Sequence, residues 1–194
     1  MDFSWTGEEL ALHRGLRGVG EGVPRGGIRA LEKTQELDAA SWRLCAENGV
    51  LGLPIPTSLG GQGVAPVACA FALEGLGQGC RDNGLLMAMG AHTWAVEVPI
   101  WRFGTDEQRA RLLPPMCGGA LIGAHAITEA EAGSDALALK ASARRDGDRY
   151  ILSGSKRFVT NAPAAGVFLV YATINSDLGF TGVTAFLVDR TAGG

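Results

Sequence analysis

The stretch ALKASARRDGDRYILSGSKRFVT, Ala138 to Thr160, decides the fold. Its Asp146-Gly147 pair sits between segments of roughly alternating character, the pattern of a β-hairpin. Farther along, VFLVYAT (Val167–Thr173) and VTAFLVD (Val183–Asp189) are β-branched runs bounded by glycine or polar loops. Before Gly123 the period is helical. In KTQELDAASWRLCAENGVLGLPIP, Leu37, Ala40, Leu44 and Cys45 fall at helical spacing, and Asn48-Gly49 supplies a left-handed stop. Pro54 and Pro56 then keep the chain extended, and TSLGGQGV is a glycine loop. PVACAFALEGLGQGC reads as an alanine-rich helix that Gly75, Gly77 and Gly79 weaken toward its end. GTDEQRARLLPPMCGGA gives a short helix, with Thr105 as N-cap and the Pro114-Pro115 pair ending it. The expected fold class is α+β: a helical N-terminal domain over residues 1–121, then an incomplete antiparallel β-barrel-like domain over 122–194.

The whole chain narrows the function classes. With 194 residues, 46% of them apolar, it can bury a sizeable core. A net charge of −3 with 17 scattered basic residues offers no basic face for phosphate backbones, so nucleic acid is not expected as a partner. MDFSWTGEEL has neither a basic n-region nor an apolar h-region, so no secretory signal is read there. His92, Glu97 and Pro99 interrupt the longest apolar run, Leu85 to Trp101, which excludes a simple membrane span. Cys45, Cys69, Cys80 and Cys117 show no CxxC pairing and read as small core residues rather than metal ligands, in a cytoplasmic protein. In GVGEGVPRGG, Val23 stands where the third glycine of a dinucleotide-binding turn would fall, and no strand precedes it.

The chemistry concentrates in AITEAEAGSD, Ala126 to Asp135, where Glu129, Glu131 and Asp135 stand beside Thr128 and Ser134 among small residues. One reading is a turn, with Thr128 and Glu131 as a capping box and Ser134 or Asp135 as a cap. The other uses the small residues: where Ala130, Ala132 and Gly133 keep side chains away, backbone N–H groups can approach an anion or a flat polar ring.

The order LCAENGVLGLPIPTSLGGQG, FGTDEQRARLLPPMCGGALIGAHAITEAEAGSD and YILSGSKRFVTNAPAAGVFLVYA resembles the acyl-CoA dehydrogenase family across nearly the whole chain. The resemblance implies an FAD-dependent oxidoreductase that dehydrogenates an acyl thioester between its α and β carbons. It implies that the flavin is gripped by the Thr-Glu loop and by a strand carrying KRFVTN. His125, Ile127, Thr128, Gly133 and Ser134 would line the cofactor, with Ile127 and Thr128 near its pyrimidine edge. Donors there stabilise charge on the reduced ring. Ser134 would also touch the pyrophosphate or the substrate's pantetheine arm. Phe158 would lie against the isoalloxazine ring, and Val159 and Thr160 beside it, with Thr160 near the hydride-accepting N5. Ala130 stands where the family usually has proline, and Phe158 where it usually has tryptophan, the marks of a divergent member acting on a carrier-protein thioester.

The family's full fold adds a C-terminal four-helix bundle, which carries the carboxylate that takes the α-proton and much of the oligomer contact. The chain therefore reads as a truncated piece or as one half of a split enzyme, with no catalytic base and no metal among its residues. The expected partners are an acyl-CoA or acyl-carrier-protein thioester, an electron-transfer flavoprotein or similar acceptor, and further copies or a complementary C-terminal subunit. Alternatives on the same fold are an acyl oxidase, a flavin monooxygenase or a non-catalytic partner-binding remnant.

Overall fold

The computed structural model describes residues 4–24, 33 and 36–193, and within these the chain forms two compact units, Met1–Leu121 and Ile122–Gly194. Residues 25–27 of the glycine-rich GVGEGVPRGG stretch lie outside the described residues.

The first unit contains α1 (Gly7–Gly22), α2 (Ala39–Glu47), α3 (Pro66–Gly79), α4 (Asn83–His92), α5 (Val98–Phe103) and α6 (Asp106–Cys117). Caps explain most starts. Thr6 and Glu9 form a reciprocal box on α1, Asp38 accepts from Ala40 N on α2, and Asp82 accepts from Leu85 N on α4. Thr105 and Gln108 do the same for α6 as Thr6 does for α1. Gly49 takes the left-handed backbone that the Asn48-Gly49 pair implies, with φ +71°.

Three local expectations are corrected. Residues 51–54 turn rather than extend, because Gly52 O accepts from both Ile55 N and Gln62 N and folds the segment onto the glycine loop. The α6 helix does not stop at its prolines but carries Pro114 and Pro115 inside its last turn. An interior proline costs a helix ~3 kcal/mol, and here the burial of Leu112, Leu113, Met116 and Cys117 on the same turns offsets it. Nor do the glycines fray α3: Gly75 and Gly79 are the seam against α1, and Gly77 faces open space. A Cβ at Gly75 would stand 2.3 Å from His13 O, one at Gly79 2.3 Å from Arg17 O, and one at Gly20 2.4 Å from Leu76 O.

Between α4 and α5 the helix widens into a π-turn, Thr93–Glu97. Pro99 cannot donate to the carbonyl four residues back, and Thr93 Oγ1 donates 2.6 Å to Leu51 O instead of closing on its own helix. The turn carries a buried pair, with His92 Nε2 3.2 Å from Glu97 Oε1 and both side chains fully buried. Trp42 meets the imidazole edge-on at 5.2 Å. Along this apolar run Leu85, Ala88, Met89, Val96 and Ile100 are buried, while Met87 and Trp94 remain exposed.

All four cysteines are buried and free. Burial pushes the Cys45 and Cys69 thiols up to about 11 and raises those of Cys80 and Cys117. A thiol reagent at pH 8 is therefore expected to leave them unmodified until the chain unfolds, and rapid labelling of the native protein would contradict this burial. No helix among the described residues is long and apolar enough to cross a membrane.

The second unit is an open mixed sheet of β1 (Gly123–Ala126), β2 (Ser142–Asp146), β3 (Arg149–Ser153), β4 (Val167–Thr173) and β5 (Val183–Asp189). The hairpins β2–β3 and β4–β5 are antiparallel, as their sequences indicate. Two parallel pairings join them: β1 runs beside the first half of β4, and β2 meets its end at Ser142–Thr173. Parallel neighbours need long crossovers, and the segment between β1 and β4 supplies one. That segment holds the candidate site.

Candidate functional site

Strand β1 delivers His125 half-buried, its ring set edge-to-face against Tyr171 on β4 with the ring centres 5.1 Å apart. Burial holds the His125 imidazole below its ordinary pKa, so it is neutral near pH 7. The chain then leaves the sheet as the Ile127–Asp135 loop, closed on itself by Glu129 N donating 3.0 Å to Ala132 O. No helix starts here, and the capping box between Thr128 and Glu131 does not form: Glu131 pairs with Lys140 instead. Asp135 places no side-chain cap on the short 3-10 turn that follows it.

The KRFVTN segment is not a strand. Lys156–Thr160 is irregular, because Phe158 (φ +54°) and Asn161 (φ +70°) occupy the left-handed region that an extended ladder cannot contain. Two bonds bring this segment to the acidic loop: Arg157 N donates 2.8 Å to Thr128 O, and Lys156 Nζ donates 3.0 Å to Ile127 O. Ile127, Thr128, Phe158, Val159 and Thr160 are therefore drawn to one place. Gly133 and Ser134 lie exposed farther along the loop, without a described bond to 156–160.

The sequence reading missed the group that makes the junction. Glu129 Oε1 accepts from Lys156 Nζ (2.8 Å) and Ala141 N (2.9 Å), and Oε2 accepts from Lys140 N (2.7 Å). Both side chains of the Lys156–Glu129 pair are nearly buried, at 11% and 10% exposure. Burial pushes the Glu129 carboxyl up, but the Lys156 ammonium and the two N–H groups outweigh it and hold the group below the usual carboxylate range. Three bonds and an ion pair hold this carboxylate in place as a structural group, with only one Oε2 lone pair left over. Its local signal is a single lysine ahead of an apolar stretch, which spacing alone does not distinguish from a solvated surface residue.

The free groups are as informative as the bonded ones. Among the described residues, the hydroxyls of Thr128, Ser134 and Thr160 and the N–H groups of Thr128, Ser134, Val159 and Thr160 have no partner in the chain. A Cβ at Gly133 would meet nothing within 4 Å. Phe158 is 87% exposed, with the Arg157 guanidinium 5.6 Å from its ring centre. An exposed phenyl beside unpaired donors is a surface suited to a flat, anionic, hydrogen-bonding ring system.

The acyl-CoA dehydrogenase N-terminal domain profile matches residues 6–120 and the middle domain profile matches residues 124–194. The chain belongs to the acyl-CoA dehydrogenase family. Within that family it is 43% identical over 164 residues to an L-prolyl-[peptidyl-carrier protein] dehydrogenase of Pseudomonas fluorescens, covering 84% of this chain and 43% of that protein. It is 30% identical over 189 residues to an acyl-CoA dehydrogenase of Bacillus subtilis, covering 97% and 49%. Among solved structures, the prolyl acyl carrier protein oxidase AnaB superposes with TM-score 0.93 at 41% identity, over 98% of this chain and 50% of that one. PigA with FAD and proline gives TM-score 0.93 at 34% identity, over 100% and 51%. The chain thus spans about half the length of the family members it matches.

Proposed function

We propose that this acyl-CoA dehydrogenase family chain is the flavin-cradling part of an FAD-dependent enzyme that dehydrogenates an acyl thioester on a carrier protein, with a prolyl thioester as the first candidate. The observation that carries the reading is the junction of the 127–129 loop with the 156–160 segment, which collects unpaired donors beside an exposed aromatic face. The preference for a carrier-bound prolyl group over a CoA ester rests on the higher identity to prolyl-carrier enzymes than to acyl-CoA dehydrogenases.

FAD, when bound, supplies the hydride acceptor. The chain's own residues hold and polarise it: Phe158 offers a face for the ring, Thr128 and Thr160 offer hydroxyl and N–H donors, and His125, Ile127, Val159, Gly133 and Ser134 complete the lining. The donors favour the electron-rich reduced ring over the oxidised one, because they already point charge-stabilising dipoles before the reaction. Ser134, exposed on the loop, is free to meet a phosphate or the pantetheine arm. The α-proton goes to a base supplied outside these 194 residues, since Glu129 is held by Lys156 and two backbone N–H groups and its carboxyl lies below the usual range, and Glu131 is paired with Lys140. A second reading, an oxidase that passes its electrons to oxygen, is favoured by the likeness to a structure described as an oxidase.

Phe158→Ala is expected to weaken FAD retention up to roughly tenfold, since an aromatic face contributes about 0.5–1.5 kcal/mol beyond area burial; titration of flavin fluorescence measures it. The test of the whole reading is anaerobic. FAD with prolyl-carrier, acyl-carrier and acyl-CoA thioesters should bleach when this chain is joined by the polypeptide carrying the remainder of the fold, and not with this chain alone. Rapid bleaching by the chain alone would overturn the assignment of the base. A joined protein that takes up no FAD would overturn the enzyme reading, and reoxidation of the bleached flavin by oxygen or only by an electron-transfer flavoprotein separates oxidase from dehydrogenase.

A further inference from the structure

The segment carrying Phe158, Val159 and Thr160 is tied at its front by Lys156 and Arg157. Behind it the chain reverses through Asn161–Ala165, with Ala164 N and Ala165 N both donating to Asn161 O and Asn161 Nδ2 donating 3.2 Å to Gly123 O. This reversal turns the carbonyls of Ala162, Pro163 and Ala165 toward one point. Three carbonyl oxygens so gathered repel one another unless a cation with several donors fills the gap. Arg190, at the exit of β5, fills it. Its Nε donates 2.5 Å to Ala165 O, and its Nη2 donates 3.0 Å to Pro163 O and also to Ala162 O. The guanidinium lies 5.6 Å from the Phe168 ring centre, and the Arg190 backbone N donates 2.9 Å to Gly166 O. The described bonds to Ala162 O, Pro163 O and Ala165 O thus all come from one side chain, 30 positions away from Thr160 in the chain.

We propose that Arg190 is a positioning residue for the flavin: it fixes the Ala162–Ala165 reversal and thereby the place of Thr160 and the left-handed Phe158 against the ring. The inference rests on the flavin reading above. Arginine suits the place better than lysine, because its planar fork meets the three acceptors from two separated nitrogens whereas the three N–H groups of an ammonium radiate from one atom. A displacement of Thr160 by a fraction of an ångström changes its hydrogen bond to the ring, and so the energy of the reduced form as well as the affinity.

The experiment compares Arg190→Met and Arg190→Lys with the parent, each joined to the remainder of the fold, by FAD dissociation constant, visible spectrum and midpoint potential of the bound flavin, and melting temperature without FAD. Arg190→Met should raise the dissociation constant at least roughly tenfold, about 1.4 kcal/mol, and shift the flavin band and potential. Arg190→Lys should fall between Arg190→Met and the parent, and it carries the measurement if Arg190→Met does not fold. Parental affinity, spectrum and potential in both variants would overturn the role. So would a loss of affinity that only tracks a lower melting temperature while the saturated flavin keeps its parental spectrum and potential. A parent that takes up no FAD would overturn the flavin reading itself and this role with it, whereas a flavin-loaded parent with unaltered variants overturns only Arg190.

Discussion

Lys156→Met is expected to destabilise the β unit by ~3–5 kcal/mol and to abolish FAD retention. The substitution keeps the length and apolar stem of the side chain but leaves Glu129 nearly buried with two N–H donors and no counter-charge, and an uncompensated buried charge costs that much. It also frees the Ile127 carbonyl, so the 127–129 loop and the 156–160 segment lose the two bonds from Lys156 Nζ that join them. Urea or thermal unfolding measures the first effect and flavin titration the second. The double variant Lys156→Met, Glu129→Gln should recover part of the stability, because it removes the orphaned charge, without recovering flavin binding. Equal stability of Lys156→Met and the parent would mean that the pair is solvent-screened and does not set the loop. The same pair gives the unit an acid limit. The folded Glu129 carboxyl is held below its ordinary value of 4.5, so its stabilisation is fully present above that pH and drains as pH falls through the folded value. By contrast, Glu131→Ala, which removes an exposed pair with Lys140, should change stability by less than about 1 kcal/mol.

In the helical unit the largest effect is expected from Gly79→Val. Its Cβ would stand 2.3 Å from Arg17 O and 2.8 Å from Glu21 N, both backbone atoms that can move only if α1 lifts off α3. Overpacking of a rigid contact costs 1–3 kcal/mol, occasionally more, and a valine against two main-chain atoms belongs at or above ~3 kcal/mol. The matched control is Gly77→Ala, where an added Cβ meets nothing within 4 Å. That change should stabilise α3 by ~0.5–1 kcal/mol, through helix propensity and a less flexible unfolded chain. Far-ultraviolet unfolding curves of the two variants should therefore move in opposite directions. Movement of both in the same direction would show that the seam is not set by the absence of side chains.

Much of the architecture was legible locally. The cap at Thr105, the Asn48-Gly49 stop, the β2–β3 hairpin and the β4 and β5 runs are each written within a few residues, because hydrogen bonds to near neighbours and the periods of helix and strand are local physics. The family and its two domains followed from long motifs in register. Local reading failed wherever a distant partner decided. Pro114 and Pro115 stay helical because the residues on their turns are buried against other helices. Gly75 and Gly79 read as helix weakeners until α1, more than fifty residues earlier, is laid against them. KRFVTN reads as a strand because its residues favour one, yet bonds from Lys156 and Arg157 to a loop 29 residues earlier hold it in a left-handed bend. Glu129 stood as one of three acids in the AITEAEAGSD loop until its two N–H donors and buried lysine were in place. The sequence by itself determined most of the local elements and named the candidate residues. Only tertiary structure decided which carboxylate is locked, which glycines are contact surfaces and which residues hold the Phe158–Thr160 segment in position, because each of these depends on groups brought together across the chain, and their burial sets the energies.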